Sequence, residues 1–237
     1  QGVSIDQAVL ADPVSVSLHS ILKRPPVPGQ PALVYGCGAL GLATVGLLSH
    51  LWPQVPVWAV ANMARAGQLA VRFGAAAVLP HKPDSLVAEV ARRCGVGPLR
   101  PWSGREWLQD GAAVVYDTVG SAESIGTSLR LVTTGGSVVV SGVEPPRRFE
   151  WTPLYFKEVD FVGSNAFGVE TLRGVRKHAF EHYFDLVREG LDLTPMITHR
   201  FPLERWAGAI ATIARRPHSG AVKVLLEVRR PGGMSGA

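Results

Sequence analysis

Ala32-Leu33-Val34-Tyr35-Gly36-Cys37-Gly38-Ala39-Leu40-Gly41 is the stretch that decides how this chain reads. Its first four residues are apolar and make a short strand, and residues 39–51 are apolar nearly all round, as in a buried helix. Between them stands G-x-G-x-x-G, directly after the strand and directly opening the helix. That context makes an otherwise weak pattern informative. Gly36 permits the tight turn, Gly38 lets a pyrophosphate approach bare backbone, and Gly41 lets the helix pack on the strand. The helix start adds free N–H groups and the positive end of a dipole. A dinucleotide site is therefore expected on Gly36, Cys37, Gly38, Ala39, Leu40 and Gly41.

Outward from this turn, strands and helices alternate. Strands are expected at 55–61, 76–80, 113–120, 137–142 and 161–164, with a last one at 223–228. Helices are expected at 63–73, 84–94, 121–132, 171–189 and 203–215. Residues 5–22 read as helical pieces interrupted near Pro13, and KRPPVPGQP (23–31) is a stiff connector with four prolines in nine residues. Residues 95–111, with Trp102 and Trp107, form an unusually long polar loop. Such alternation predicts an α/β fold, a Rossmann-type doubly wound parallel sheet ordered 3-2-1-4-5-6.

Composition sets the outer bounds. The 237 residues are 46% hydrophobic and 18% charged, which excludes wholesale disorder and suffices for a core. Two cysteines exclude a disulfide scaffold and a four-cysteine zinc site. The longest apolar stretch, Ala39 to Trp52, is too short to span a bilayer, and no signal peptide is visible. A cytoplasmic protein without a membrane partner is expected, and the opening Gln1 in place of Met reads as a fragment or a trimmed product. The net charge of +5 permits anionic partners, but the positives fall in short pairs such as Arg92-Arg93 and Arg215-Arg216. These read as solvated surface, and no nucleic-acid-binding signature accompanies them.

The end of the second strand bears on the cofactor's ribose. An Asp or Glu about twenty residues past the glycines hydrogen-bonds the 2′-hydroxyl in NAD-binding proteins. Here that position is Ala61, followed by Asn62, Met63, Ala64 and Arg65. No carboxylate stands there to repel a 2′-phosphate, and Arg65 is placed to pair with one, or is an ordinary helix-surface arginine. NADP(H) is expected over NAD(H).

Taken with AVLADPVSVSLH, LVYGCGALGL, VYDTVG, GGSVVVSG, ITHRFPLERWAGAI and the terminal KVLLEV, the sequence resembles the cofactor-binding, C-terminal half of zinc-type medium-chain dehydrogenases/reductases, over about residues 5–228. The resemblance implies that Ala61, Asn62 and Arg65 meet the adenosine ribose or its phosphate. It implies that Thr118, Val119 and Gly120 line the cofactor after the fourth strand, and that Ser141, Gly142 and Val143 flank the nicotinamide. Asn165, Ala166 and Phe167 would follow the sixth strand near the cofactor's end. Asp12 stands where many relatives carry a Glu beside the metal; alone it cannot hold zinc, which needs about three protein ligands, and in isolation a helix cap before Pro13 is the better reading. The implied organisation is linker helices from a catalytic domain (1–29), a Rossmann domain (30–168), and C-terminal helices, a return strand and a disordered tail (169–237).

Other patterns compete weakly. His178-Ala179-Phe180-Glu181-His182 fits H-x-x-E-H, a zinc-protease pattern, but no third ligand is indicated and a solvated helix face is the better reading. Neither Ser121 nor Ser141 lies in G-x-S-x-G; Ser121 reads as a helix N-cap. Cys37 lies at a helix N-terminus, a setting that lowers a thiol pKa, although a small residue tolerated by the turn is the preferred reading; Cys94 reads as structural. The expected function is the dinucleotide-binding half of an oxidoreductase that moves hydride between NADP(H) and a small alcohol or carbonyl, with zinc only in a full-length enzyme and a homodimer as its assembly. The alternatives are a non-catalytic nucleotide-binding module and a zinc-independent quinone or enoyl reductase.

Overall fold

The computed structural model describes residues 2–101, 104–145 and 147–228. Two helices lead in, α1 (Ile5–Val9) and α2 (Ala11–Lys23). Ser4 and Gln7 close a capping box on α1. The break between the helices falls at Leu10 rather than near Pro13, which sits in the first turn of α2, where a missing N–H costs no helical hydrogen bond. After the proline-rich connector come β1 (Ala32–Tyr35), α3 (Ala39–Leu51), β2 (Val57–Val60), α4 (Ala64–Arg72), β3 (Ala77–Leu79) and α5 (Pro83–Cys94). Then follow β4 (Ala112–Asp117), α6 (Ala122–Leu131), β5 (Val132–Val140), α7 (Thr152–Phe156) and β6 (Asp160–Gly163).

These six strands form one parallel sheet in the order β3-β2-β1-β4-β5-β6, the order that the alternation predicts. Side chains alternate between its two faces. Ala32, Val34, Val57 and Ala59 join one apolar cluster with residues of α2, α3 and α4, whereas Leu33, Tyr35, Trp58 and Val60 join a second with residues of α5 and α6. All four residues of β1 and of β2 are buried, as strands covered on both faces must be. The chain leaves β1 toward β2 on one side and returns to β4 on the other, so the ends of β1 and β4 border a topological switch point.

The C-terminal third departs from the sequence reading. The helix expected at 171–189 is half hairpin: β7 (Val169–Leu172) and β8 (Val175–His178) pair antiparallel, and α8 (Ala179–Arg188) starts only at Ala179. The two-residue turn is Arg173 and Gly174, at φ +51 and +79, the signs of a type I′ hairpin turn. An arginine in the first position gives none of the Asn-Gly or Asp-Gly signal that marks such turns. A strand that the sequence reading missed, β9 (Ile197–Pro202), pairs parallel with the return strand β10 (Lys223–Glu227), separate from the main sheet. Between them lie a 3₁₀ turn (Leu203–Arg205), α9 (Trp206–Ala214) and α10 (Arg216–Ser219). β5 also begins earlier than expected, at Val132. The tail at 229–237, expected to be disordered, and Trp102 of the long loop lie outside the described residues. The loop's remaining part is tied by a bridge between Leu99 and Trp107. No described helix is long and apolar enough to cross a membrane.

Candidate dinucleotide-binding cleft

A cleft of about 600 Å³ opens at the ends of β1, β2, β4 and β5. Its floor is the glycine turn. Gly36 is at φ +94, which favours glycine. A Cβ on Gly41 would lie 1.8 Å from the Gly36 carbonyl oxygen, so only glycine lets α3 sit this close to β1. A Cβ on Gly38, by contrast, would meet nothing within 4 Å: the space above this backbone is open. Gly38 is also the N-cap of α3 and offers no side-chain acceptor, which leaves the first-turn N–H groups available at the cleft.

The walls are built by loops after β4 and β5. Thr118 donates its N–H to the Tyr35 carbonyl at 3.0 Å, and its hydroxyl to the Tyr35 and Gly36 carbonyls at 3.0 and 3.2 Å. Gly120 and Gly142 press backbone on backbone: a Cβ on Gly120 would lie 2.0 Å from the Gly142 oxygen. Asp117, fully buried at the end of β4, fixes this wall. Its Oδ1 accepts the N–H groups of Val119 (2.9 Å) and Gly120 (3.0 Å), and its Oδ2 accepts the Ser124 hydroxyl (2.8 Å). Burial raises its pKa, against the lowering effect of these hydrogen bonds. Ser121 caps α6 in a box with Ser124, as its sequence position suggests.

The cleft brings together Gly36, Cys37, Gly38, Leu40, Asn62, Thr118, Val119, Ser141, Gly142 and Val143 of the expected site residues. Others stand apart from its lining. Gly41 and Gly120 act behind it through close packing, and Ala39 opens α3. Ala61 borders a shallow hollow with Gly67 and Val78 that adjoins the cleft through Asn62 and Met63. Arg65 lies against Gly220, where an added Cβ would be 3.1 Å from its Cδ. Asn165 is exposed, Ala166 is at φ +57, and Phe167 packs edge-on to His178 and at 5.0 Å from Phe180. The sequence reading missed Tyr35, Val60, Met63, His81, Glu123, Glu144, Arg216 and Pro217, all of which line the cleft. The Tyr35 hydroxyl is pushed up to about 12, mainly by burial and then by the Glu123 charge. Asp117 was missed too, although an Asp directly before Thr-Val-Gly at a strand end is the signature of a side chain that caps its own loop.

The competing patterns resolve by burial and bonding. Cys37 is 5% exposed and its thiol is pushed up to about 12 by desolvation, the opposite of helix-start activation. The H-x-x-E-H run is not a solvated helix face: His178 precedes α8 and caps it by accepting the Phe180 N–H, and His182 is buried and hydrogen-bonds the Glu170 carbonyl at 3.1 Å. Among the described residues no three His, Cys, Asp or Glu side chains gather as metal ligands, and Asp12 is exposed in the first turn of α2. This donor set does not fit a zinc ion, whereas the open Gly38 and the free start of α3 fit a pyrophosphate.

A doubly wound sheet with a glycine turn at its switch point defines a dinucleotide-binding class of fold. Residues 39–187 match the family model described as zinc-binding dehydrogenase, and the chain belongs to that family, as its cofactor-binding, C-terminal half. It is 26% identical over 207 residues to the L-threonine 3-dehydrogenase of Coxiella burnetii (strain Dugway 5J108-111), covering 85% of this chain and 53% of that protein. The chain thus spans about half the length of the curated relatives it matches. Among solved structures, the short chain alcohol dehydrogenase of Escherichia coli CFT073, complexed with NADH, superposes with a TM-score of 0.75 at 20% identity, over 95% of this chain and 60% of that one. A protein from Sinorhizobium meliloti 1021 described as a zinc-binding dehydrogenase, bound to NADP, gives a TM-score of 0.70 at 26% identity, over 93% of this chain and 59% of that one.

Proposed function

We propose that this chain is the dinucleotide-binding half of an oxidoreductase that transfers hydride between NADP(H) and an alcohol or carbonyl substrate. The observation that carries the reading is the paired geometry of the glycine turn: Gly41 closed against Gly36, Gly38 open to the cleft. The relatives complexed with NADH and NADP support a dinucleotide as the occupant. The nicotinamide supplies the hydride chemistry when bound. The chain's own residues bind and orient. Gly38 and the start of α3 receive the pyrophosphate. Asn62, Met63 and His81 border the adenosine end, and Thr118, Val119 and Ser141 to Val143 border the nicotinamide end. The absence of a carboxylate from Ala61 to Arg65 favours NADP(H). Zinc belongs to the full-length enzyme in this reading, on ligands other than the described residues of this chain. Two unbridged cysteines fit a reducing, cytoplasmic setting. A homodimer would form along β6, the sheet's edge strand, where Phe161 is exposed and stacks with Phe149 at 6.3 Å.

Calorimetric titration with NADPH and with NADH tests the site. Saturable binding, tighter for NADPH, is expected. Tighter NADH binding keeps the dinucleotide and discards the phosphate argument; a folded chain that binds neither refutes the cleft assignment. For the reaction, the full-length enzyme should oxidise an alcohol with NADP⁺ and lose that activity on chelation. Chelator-resistant reduction of a quinone or an activated alkene would move the assignment to the zinc-independent branch.

A further inference from the structure

Arg65 is the arginine that the sequence offers for a 2′-phosphate, but it is not the arginine that lines the cleft. That residue is Arg216, from the first position of α10. It shares the cleft with Asn62 and Met63, which follow β2, and with His81, which follows β3. These are the strand ends beside which the adenosine ribose of a dinucleotide lies in this fold. We propose that Arg216, with His81 and Asn62 of the same cleft, grips the 2′-phosphate of NADP(H), and that Arg65 only positions the segment that carries it. The proposal rests on the NADP(H) reading above.

The local structure supports this division of labour. Pro217 stands in the first turn of α10 and restricts φ there. The Gly220 N–H closes on the Arg216 carbonyl at 2.9 Å, and the Ser219 hydroxyl donates to the Thr212 carbonyl at 2.8 Å, tying α10 back to α9. Gly220 is at φ +65, and a Cβ there would lie 3.1 Å from the Arg65 Cδ and 3.9 Å from its Nη1. Arg65 thus lies along this glycine with its guanidinium against the segment, while Arg216 is exposed at the mouth of the cleft. None of the ion pairs among the described residues engages Arg216, so its charge is not already spent on a carboxylate. The two carboxylates that line the cleft, Glu123 and Glu144, come from the first turn of α6 and from after β5, and neither forms an ion pair with Arg216. A guanidinium that shares a cleft with an amide and an imidazole matches a dianionic phosphate in charge and donors and gives a free 2′-hydroxyl little to gain.

The test titrates the 237-residue chain and its variants Arg216→Gln, Arg216→Lys and Arg65→Gln with NADPH and NADH. Adenosine 2′,5′-bisphosphate and ADP serve as fragment probes, and a thermal melt checks each fold. Arg216→Gln should weaken NADPH and the 2′,5′-bisphosphate about 10- to 100-fold, the range of a charged hydrogen-bonded pair, and change NADH and ADP less than about twofold. Arg216→Lys should recover part of the loss, keeping charge without the fork. Arg65→Gln should leave the ratio of the two affinities within about twofold. Equal weakening of NADPH and NADH by Arg216→Gln would assign Arg216 to the pyrophosphate and overturn the proposal. So would loss of the preference in Arg65→Gln alone, or an Arg216→Gln variant that binds as the parent does. A parent chain that prefers NADH, or binds neither, defeats the underlying NADP(H) reading instead; a parent that prefers NADPH whatever stands at 216 defeats only this inference.

Discussion

Gly38→Asp separates binding from folding. Gly38 is at φ −76 and ψ −165, a conformation open to any L-residue, and a Cβ on it meets nothing within 4 Å. It is also the N-cap of a 13-residue helix without a side-chain acceptor. An aspartate there caps α3 by accepting first-turn N–H groups and meets the positive dipole end. Stability should hold or rise by a few tenths of a kcal/mol. The same carboxylate occupies the donors that a pyrophosphate would use and repels it. At about 5 Å and an effective dielectric of about 20, repulsion costs roughly 3 kcal/mol per unit charge. Screening and side-chain rotation reduce this to about 1.5–3 kcal/mol, a loss of about 10- to 100-fold in affinity. Calorimetric titration with NADPH and a thermal melt read the two effects. Gly41→Ala is the contrast. Its Cβ would stand 1.8 Å from the Gly36 oxygen, so α3 must move off β1. That should cost about 1–3 kcal/mol of stability or more. Unchanged affinity in Gly38→Asp would refute the placement of the pyrophosphate, and a melt several degrees lower would refute the reading of Gly38 as unconstrained.

Three further outcomes follow from buried groups. Asp117→Ala strands the Val119 and Gly120 N–H groups and the Ser124 hydroxyl; it should cost about 2–4 kcal/mol in urea unfolding and weaken cofactor binding, because residues 118 and 119 wall the cleft. Lys157 is fully buried beside the carbonyls of Leu108, Arg130 and Val132, and desolvation pulls its ammonium down to about 7. Between pH 7 and the unfolded value of 10.5 the unfolded chain then holds more protons, so this group makes stability rise with pH across that window. Urea midpoints at pH 6.5 and 8.5 should show that rise in the parent and its loss in Lys157→Met, and parallel curves would contradict it. A thiol reagent at pH 8 should label partly buried Cys94, whose thiol burial and Asp110 raise, ahead of buried Cys37, whose thiol is pushed up to about 12; mass spectrometry of the labelled peptides decides.

What the sequence made legible was whatever local chemistry dictates. The glycine turn, the six parallel strands and their order follow from period, punctuation and the rules of crossover, and β1 and α3 fall where their residues predict. The Arg173-Gly174 hairpin did not, because its turn depends on a positive φ at an arginine, a choice imposed by the pairing of Val169–Leu172 with Val175–His178. The strongly amphipathic run after Ala179 then carried the helical period upstream over residues that pair as strands. The site divides in the same way. Asn62, Thr118 and Ser141, which follow their strands and which the family resemblance implies stand beside the cofactor, line the cleft. Arg216 was not legible in the sequence, because it reaches the cleft only once β9 and β10 pair and the segment between them folds back on Arg65. A position-based rule for the 2′-phosphate looks at the first residues past β2, 61 to 65, and it selects Arg65 from the sequence. The rule fails wherever another part of the chain delivers the charge, because the phosphate responds to a guanidinium's place in space and not to its distance along the sequence.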